Sequence, residues 1–205
     1  MSPARSADVR TRLLAAARAE LVEHGRAAIS LRAVARRAGL SHASPKYHFG
    51  DRAGLLTAIA TEGFQALAQQ LDMVTESDPG RQLAALGRAY IDFGLTNPAL
   101  FELMFSSAEL HADAPDLVVA QQCAIEALSA AVSRLGARRS SSTEVVPDTA
   151  LIAWSFVHGL VTLARSGALD TAASQRAGET VELAHSLIDA FVGYLRTDLA
   201  RRPEA

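Results

Sequence analysis

The 205-residue chain is 49% hydrophobic, 20% charged and only 5% aromatic, with a formal net charge of −2. That much apolar material suffices for one small domain plus a larger one. A single cysteine, Cys123, excludes an intrachain disulfide and any multi-cysteine zinc site, and reads as a small apolar helix-face residue.

No long alternating β-branched run occurs, and Gly and Pro punctuate segments of helical length, so the expected fold class is all-α, with about nine helices. Residues 9–23 form a first helix with Leu13, Leu14, Ala17 and Leu21 on one side and an end near Gly25. Residues 30–38 form a second: Leu31, Val34, Ala35 and Ala38 fall at i, i+3, i+4 and i+7, and Ser30 offers a capping oxygen. Gly39 follows, where a left-handed residue is needed, and Ser41 then offers another N-cap hydroxyl. The third helix runs only about two turns and tolerates Pro45 in its first turn. A long fourth helix, 52–73, carries Leu55, Leu56, Ile59, Phe64, Leu67 and Leu71 and contains the domain boundary. Further helices are expected at 80–96, 98–105, 116–135, 148–165 and 175–199, with a polar loop over 138–143.

A short, exposed, polar helix does not stabilise itself, so the third helix must be held by its neighbours and presents side chains to a partner. Two helices joined by a glycine turn are how a helix-turn-helix DNA reader looks in sequence. His42, Ala43 and Ser44 lie where base edges are read in a major groove; Lys46, Tyr47 and His48 lie one turn on, where phosphates are met. The first 55 residues hold ten Arg and Lys, Arg32 among them, against four Asp and Glu, a net +6, while the remainder nets −8. A basic end on an acidic body turns toward a polyanion, with strong salt dependence.

In the body, Val181, Ala184, Ile188, Phe191 and Leu195 recur at spacings of 3 and 4, a seam of coiled-coil type. The preceding 148–165 segment, with Phe156, Leu160 and Leu163, is apolar almost all round and needs cover on two sides. Two such helices from each of two chains would make a four-helix homodimer interface about a twofold axis, matching the two half-sites of an inverted repeat; the alternative is that both complete a monomeric core.

Gly39-Leu40-Ser41-x-x-Ser44-x-x-x-His48-Phe49, followed by Asp51-Arg52-x-x-Leu55-Leu56, resembles the DNA-binding signature of TetR-type transcriptional regulators, and Ser41-His42-Ala43-Ser44-Pro45 is similar to a subgroup with Ser-His-Ala-Ala-Pro there. The resemblance implies that Phe49 is core, Ser41 the cap and Arg52 a phosphate contact. Lys46 stands where members commonly carry Tyr, which is displaced here to position 47; Lys still neutralises a phosphate. Trp154-x-x-x-His158-Gly159 resembles the Trp, His-Gly pattern in the C-terminal domain of one subfamily.

Together these likenesses imply a helix-turn-helix DNA-binding domain over 1–55 and an effector-binding and dimerisation domain over 56–205. They also imply a small effector held among Phe93, Leu100, Phe101, Met104, Phe105, Trp154 and His158. For His158 an alternative is a backbone hydrogen bond at a close helix crossing. The expected function is a homodimeric repressor released from an inverted-repeat operator in double-stranded DNA by a small hydrophobic effector; the alternative is a helical ligand-binding or interaction homodimer with weakened DNA binding. No Gly-x-Ser-x-Gly, His-Glu-x-x-His or phosphate-cradling loop occurs and the histidines do not cluster, so no enzyme, metal or cofactor is expected. With no run of about 18 apolar residues and no signal-peptide pattern, the expectation is a cytoplasmic protein with no membrane partner.

Overall fold

A computed structural model describes residues 3–135, 148–175 and 179–201. Among the described residues there are ten α-helices and no strand: α1 (Pro3–His24), α2 (Leu31–Arg37), α3 (Ala43–Phe49), α4 (Arg52–Asp72), α5 (Pro79–Thr96), α6 (Pro98–Met104), α7 (Pro115–Leu135), α8 (Asp148–Arg165), α9 (Ala168–Gln175) and α10 (Thr180–Arg201). Single 3-10 turns lie at Arg26–Ala28 and Ser107–Glu109. The all-α expectation is met. The helix not anticipated is α9, and α10 accordingly starts at Thr180 rather than at 175. Gly167, at φ 75°, turns the chain after α8, and eight residues anchored by buried Leu169 and Ala173 are too few to display a helical period. The expected polar loop at 138–143 lies outside the described residues.

The chain forms two compact units, Met1–Ala66 with Asn97–Gln122 and Leu67–Thr96 with Cys123–Ala205, the divisions falling inside α4 and α7. In the first, Leu13, Leu14, Ala17 and Leu21 of α1, Val34 and Ala35 of α2, and Leu55, Leu56 and Ile59 of α4 are buried to within 1% of full closure. Ser30 caps α2 as expected, its hydroxyl accepting from the Ala33 N–H at 3.1 Å, an interaction of about 1 kcal/mol. At the other end Gly39 takes φ 63°, and the Leu40 and Gly39 N–H groups donate to the Ala35 and Arg36 carbonyls, so a Schellman turn ends the helix.

Ser41 is not the cap the sequence suggests. The residue flanking α3 is His42, with no side-chain capping bond, and the Ser41 hydroxyl pairs with that of Ser44 at 2.9 Å; the turn leaves one residue more before the helix than the motif implies. The following corner is made by Gly50 at φ 76° and by Asp51, whose Oδ1 accepts from the Gly54 N–H at 2.7 Å and caps α4. That bond, and then His111, hold the Asp51 carboxyl below its ordinary pKa.

Farther along, α4 and α6 meet at Gly63, where a methyl group would lie 2.7 Å from Met104 Sδ. Phe64, Phe105 and Phe101 continue the contact as an aromatic chain with centroids 5.4 and 4.9 Å apart.

In the second unit α5 packs on both α8 and α10, burying Leu83, Leu86, Ile91, Val157, Val161, Ile188 and Val192. Gly87 admits Ile188 at a distance where a methyl would sit 3.0 Å from its Cγ2. Arg88 with Asp189, His185 with Asp92 (2.9 Å) and Arg196 with Asp78 (3.4 Å) pair along the same helices, their numbers running in opposite senses because α5 and α10 are antiparallel. Exposed pairs contribute about 0–1 kcal/mol each, so the close Gly87 contact sets the register and the charges follow it.

Replacing Gly by Ala normally stabilises an exposed helix by about 1 kcal/mol. At Gly54 the sign reverses, because the new methyl would fall 2.0 Å from the Phe49 carbonyl oxygen. Gly54→Ala is expected to cost about 3 kcal/mol, at the upper end of overpacking penalties, and to lower the melting temperature by roughly 6–12 °C in a thermal melt.

Candidate nucleic-acid interface

The surface of α3 divides cleanly. Pro45 is buried and Phe49 half-buried, while His42, Ala43, Lys46 and Tyr47 are exposed, Tyr47 at 76%. Ser44 and His48 are half-buried at the edges of this row, and the His48 ring meets Tyr47 edge-on at 5.1 Å. The Arg10 guanidinium lies 5.6 Å from the centre of the Phe49 ring and ties α1 to the far side of α3.

The basic residues counted in sequence are not all without partners in the fold. Arg37 pairs with Glu20 (3.2 Å) and Glu23, Arg18 pairs with Glu62 (3.5 Å), and Arg12 donates to the Ala38 carbonyl that closes α2 (3.0 Å). Arg32, Arg36 and Lys46 are exposed and make no ion pair with the described residues. They are the cations the fold leaves for a polyanion.

Arg52 departs from the expectation of a phosphate contact. Its Nε donates to the Ile29 carbonyl at 3.0 Å, one terminal nitrogen to the Arg26 carbonyl at 2.8 Å and the other to Glu109 Oε2 at 3.1 Å. The guanidinium is thus turned onto the unit's own backbone, because residue 52 opens α4 directly beside the chain entering α2.

The seven residues proposed for an effector divide between the units. In the first, Phe101 and Met104 are fully buried and Leu100 and Phe105 partly so. In the second, Phe93 is buried and Trp154 and His158 are half-buried on α8. Sequence reasoning missed what joins the last two: Trp154 Nε1 donates to the Tyr90 hydroxyl at 3.2 Å, and that hydroxyl lies 3.0 Å from His158 Nδ1. Indole is a donor only, so the phenol accepts from it and shares a second hydrogen bond with His158 Nδ1. Burial first, then Arg165, depress the His158 pKa below 6.5, and burial raises that of Tyr90. The only sequence trace of Tyr90 is an aromatic on the apolar face of 80–96, which reads as core. His158 therefore bonds a phenol, and Gly159 does not mark a close crossing, since a methyl there would meet nothing within 4 Å.

Among the expected dimer residues, Leu160, Ala184 and Ile188 are at most 5% exposed and belong to the subunit's own core. The α10 seam packs inward on α5 rather than outward, because Gly87 lets Ile188 in. Phe156 and Phe191 stack at 4.4 Å and are half-buried, as is Leu195, while Leu163 and Val181 are exposed. The outward apolar residues missed in sequence are Leu151, Ile152 and Tyr194, and methyls at Gly159 and Gly193 would meet open space.

Two profiles match: that of the bacterial regulatory proteins of the tetR family over residues 13–59, and a tetracycline-repressor-like C-terminal domain over residues 83–191. The chain belongs to the TetR family of transcriptional regulators. A Rhodococcus protein of unknown function, 32% identical, shares the fold with a TM-score of 0.77 over 92% of this chain and 95% of its own. A TetR-family regulator from Pectobacterium atrosepticum, 23% identical, superposes with a TM-score of 0.63 over the whole of both chains. An HTH-type transcriptional regulator of Mycobacterium tuberculosis is 27% identical over 103 residues, 48% of this chain, and the match spans 44% of that relative's length. No group of three or more candidate metal ligands occurs among the described residues, and no described helix is long and apolar enough to cross a membrane.

Folding holds His158 neutral, so on acidification the unfolded chain takes up this proton first, near pH 6.5. The group costs nothing above that pH and lowers stability as pH falls below it. Melting temperatures measured from about pH 7.5 to about pH 5 are expected to fall more steeply for the wild type than for His158→Gln, which starts lower at neutral pH through loss of the Tyr90 bond.

Proposed function

We propose that the protein is a homodimeric repressor that holds an inverted-repeat operator and lets it go when a small hydrophobic effector binds. The observation that carries this is the exposed row on α3, His42, Ala43, Lys46 and Tyr47, backed by unpaired Arg32 and Arg36 on α2. Ser44 and His48 edge the row. His42, Ala43 and Ser44 read bases; Lys46, Tyr47 and the α2 arginines meet phosphate. Ser41 and Arg52 support the reader rather than touch DNA. Residues 1–55 carry the DNA function and 56–205 the effector and dimer functions, in a cytoplasmic protein without catalytic activity.

The effector would act on α6, where Phe101, Met104 and Phe105 abut Gly63 and Phe64 of α4, the helix that begins at the reader. An effector shifts the equilibrium only by its difference in affinity for the two states. Within the first unit Leu100 is a further apolar candidate; within the second, by itself, the Tyr90, Trp154 and His158 cluster with Phe93 supports the Trp, His-Gly subgroup and an uncharged ligand. The dimer face would be the outward side of α8 and α10: Ile152, Phe156 and Leu163 with Val181, Phe191, Tyr194 and Leu195.

Gel shifts on DNA flanking the protein's own coding sequence test the reading. With three cations per subunit, the slope of log affinity against log salt for a dimer is expected to be about −5, flattened by about 2 in Lys46→Gln. A slope steeper than about −10 would mean that the ion-paired arginines also reach phosphate, and absence of any inverted-repeat complex would favour a ligand-binding homodimer with lost DNA contact.

In analytical ultracentrifugation, Ile152→Asp with Tyr194→Asp is expected to give monomers. Ile188→Ala should instead destabilise the subunit by about 2–5 kcal/mol with the dimer retained at temperatures below its melt.

A further inference from the structure

The geometry points to Glu109 as the positioning residue that ties the pose of the DNA reader to the segment joining α6 and α7. The reader, α2 and α3 with their turn, is a loop whose two ends are cinched by Arg52. From the start of α4, that residue donates backward to the carbonyls of Ile29 and Arg26, just before α2.

Onto this stem a single carboxylate bridges two arginines. Glu109 Oε1 accepts from Arg26 at 2.6 Å and Oε2 from Arg52 at 3.1 Å. The same connecting segment supplies Ser106, whose hydroxyl accepts from Arg26 at 2.8 Å, and α6 supplies Glu102, paired with Arg26 at 3.3 Å. His111 completes it: its N–H donates to the Thr57 hydroxyl at 2.9 Å, and its Nε2 lies 3.2 Å from Asp51 Oδ1, the cap of α4.

Guanidinium and carboxylate are planar and directional, so a shift of the 106–111 segment pulls on both ends of the reader at once. Losing that hold loosens both ends of the reader together, so the backbone hydrogen bonds of its turn and of α3 open more often. The side chains of Arg26, Arg52 and Glu109 are 29–40% exposed, so water exchanges with these bonds and the link resets rather than welds. Glu109 has no contact of its own with the exposed row on α3; it acts through Arg26 and Arg52. The consequence for operator binding rests on the proposed function, but the mechanical link does not.

Hydrogen–deuterium exchange on the full-length protein tests it without DNA. Glu109→Gln keeps the side chain's size and leaves Arg52 its two backbone bonds. Exchange is expected to rise at least about fivefold both in 106–114 and in 39–50, with 83–94 and 183–192 unchanged. Adding Arg26→Gln, which also removes the bonds to Ser106 and Glu102, should raise exchange further in 39–50 and 106–114 together. Acceleration confined to 106–114, or a uniform rise that includes 83–94 and 183–192, overturns the proposal. Should Glu109→Gln fail to fold, the wild type carried from about 0.1 to about 1 M NaCl reads the same link, since salt screens exposed pairs: 39–50 and 106–114 must loosen together, and a reader that stays protected while 106–114 opens overturns it. None of these outcomes depends on operator binding, so a failure here and a failure of the DNA reading are separate results.

Discussion

A helix of two turns cannot hold itself in water, and the first unit is organised around that constraint. The seven residues of α3 are fixed from outside at every point: Pro45 is buried beneath them, the Gly39 and Gly50 turns set both ends, and Asp51 starts the next helix at once. Gly54 is required because the Phe49 carbonyl comes so close that no Cβ fits. The result is a rigid presentation of four exposed side chains. A flexible loop with the same residues would pay their ordering entropy on each encounter with DNA.

The same economy governs charge. A basic amino-terminal segment suggests a broad electropositive surface, yet Arg12, Arg18, Arg26, Arg37 and Arg52 are engaged with carbonyls and carboxylates of the fold. Among the described residues Arg32, Arg36 and Lys46 are exposed without such a partner, and Arg10 rests on the Phe49 ring. Arg26 and Arg52 also build the arginine stem that Glu102 of α6 and Glu109 meet.

The second unit shows the complementary pattern. Its helices are apolar enough to bury, and α5 admits α10 at Gly87, so Ala184 and Ile188 of the seam that looks made for a partner are consumed inside the subunit, while Val181, Phe191 and Leu195 keep some outward surface. The polar groups within it, Tyr90, Trp154 and His158, satisfy one another and stay uncharged. An interior of that character accepts an uncharged guest more readily than an ion, which would shed its water without a counter-charge.

Much of this was legible in sequence because it is local. The cap at Ser30, the left-handed Gly39, the tolerated Pro45 and the apolar stripes of 9–23, 30–38 and 52–73 each follow from residues within one or two turns, and so does the all-α class. Short range also explains the errors. A capping hydroxyl at Ser41 and a free guanidinium at Arg52 are what the motif permits; Ser41 instead takes a partner three residues on, the Ser44 hydroxyl, while the carbonyls that Arg52 seeks depend on where the backbone before α2 arrives. Periodicity told that one side of 181–195 is buried without telling what buries it, and Tyr90 was hidden because a lone aromatic on an apolar face looks the same whether or not its hydroxyl meets a histidine. Sequence by itself determined every described helix but α9, their order and the short polar helix that faces outward, since hydrogen bonds and side-chain period act along the chain. Tertiary structure alone decided which cations remain unpaired, which apolar face stays exposed and which carboxylate holds the reader's stem, since those depend on groups brought together from different helices, such as Arg37 with Glu23 and Arg52 with Glu109.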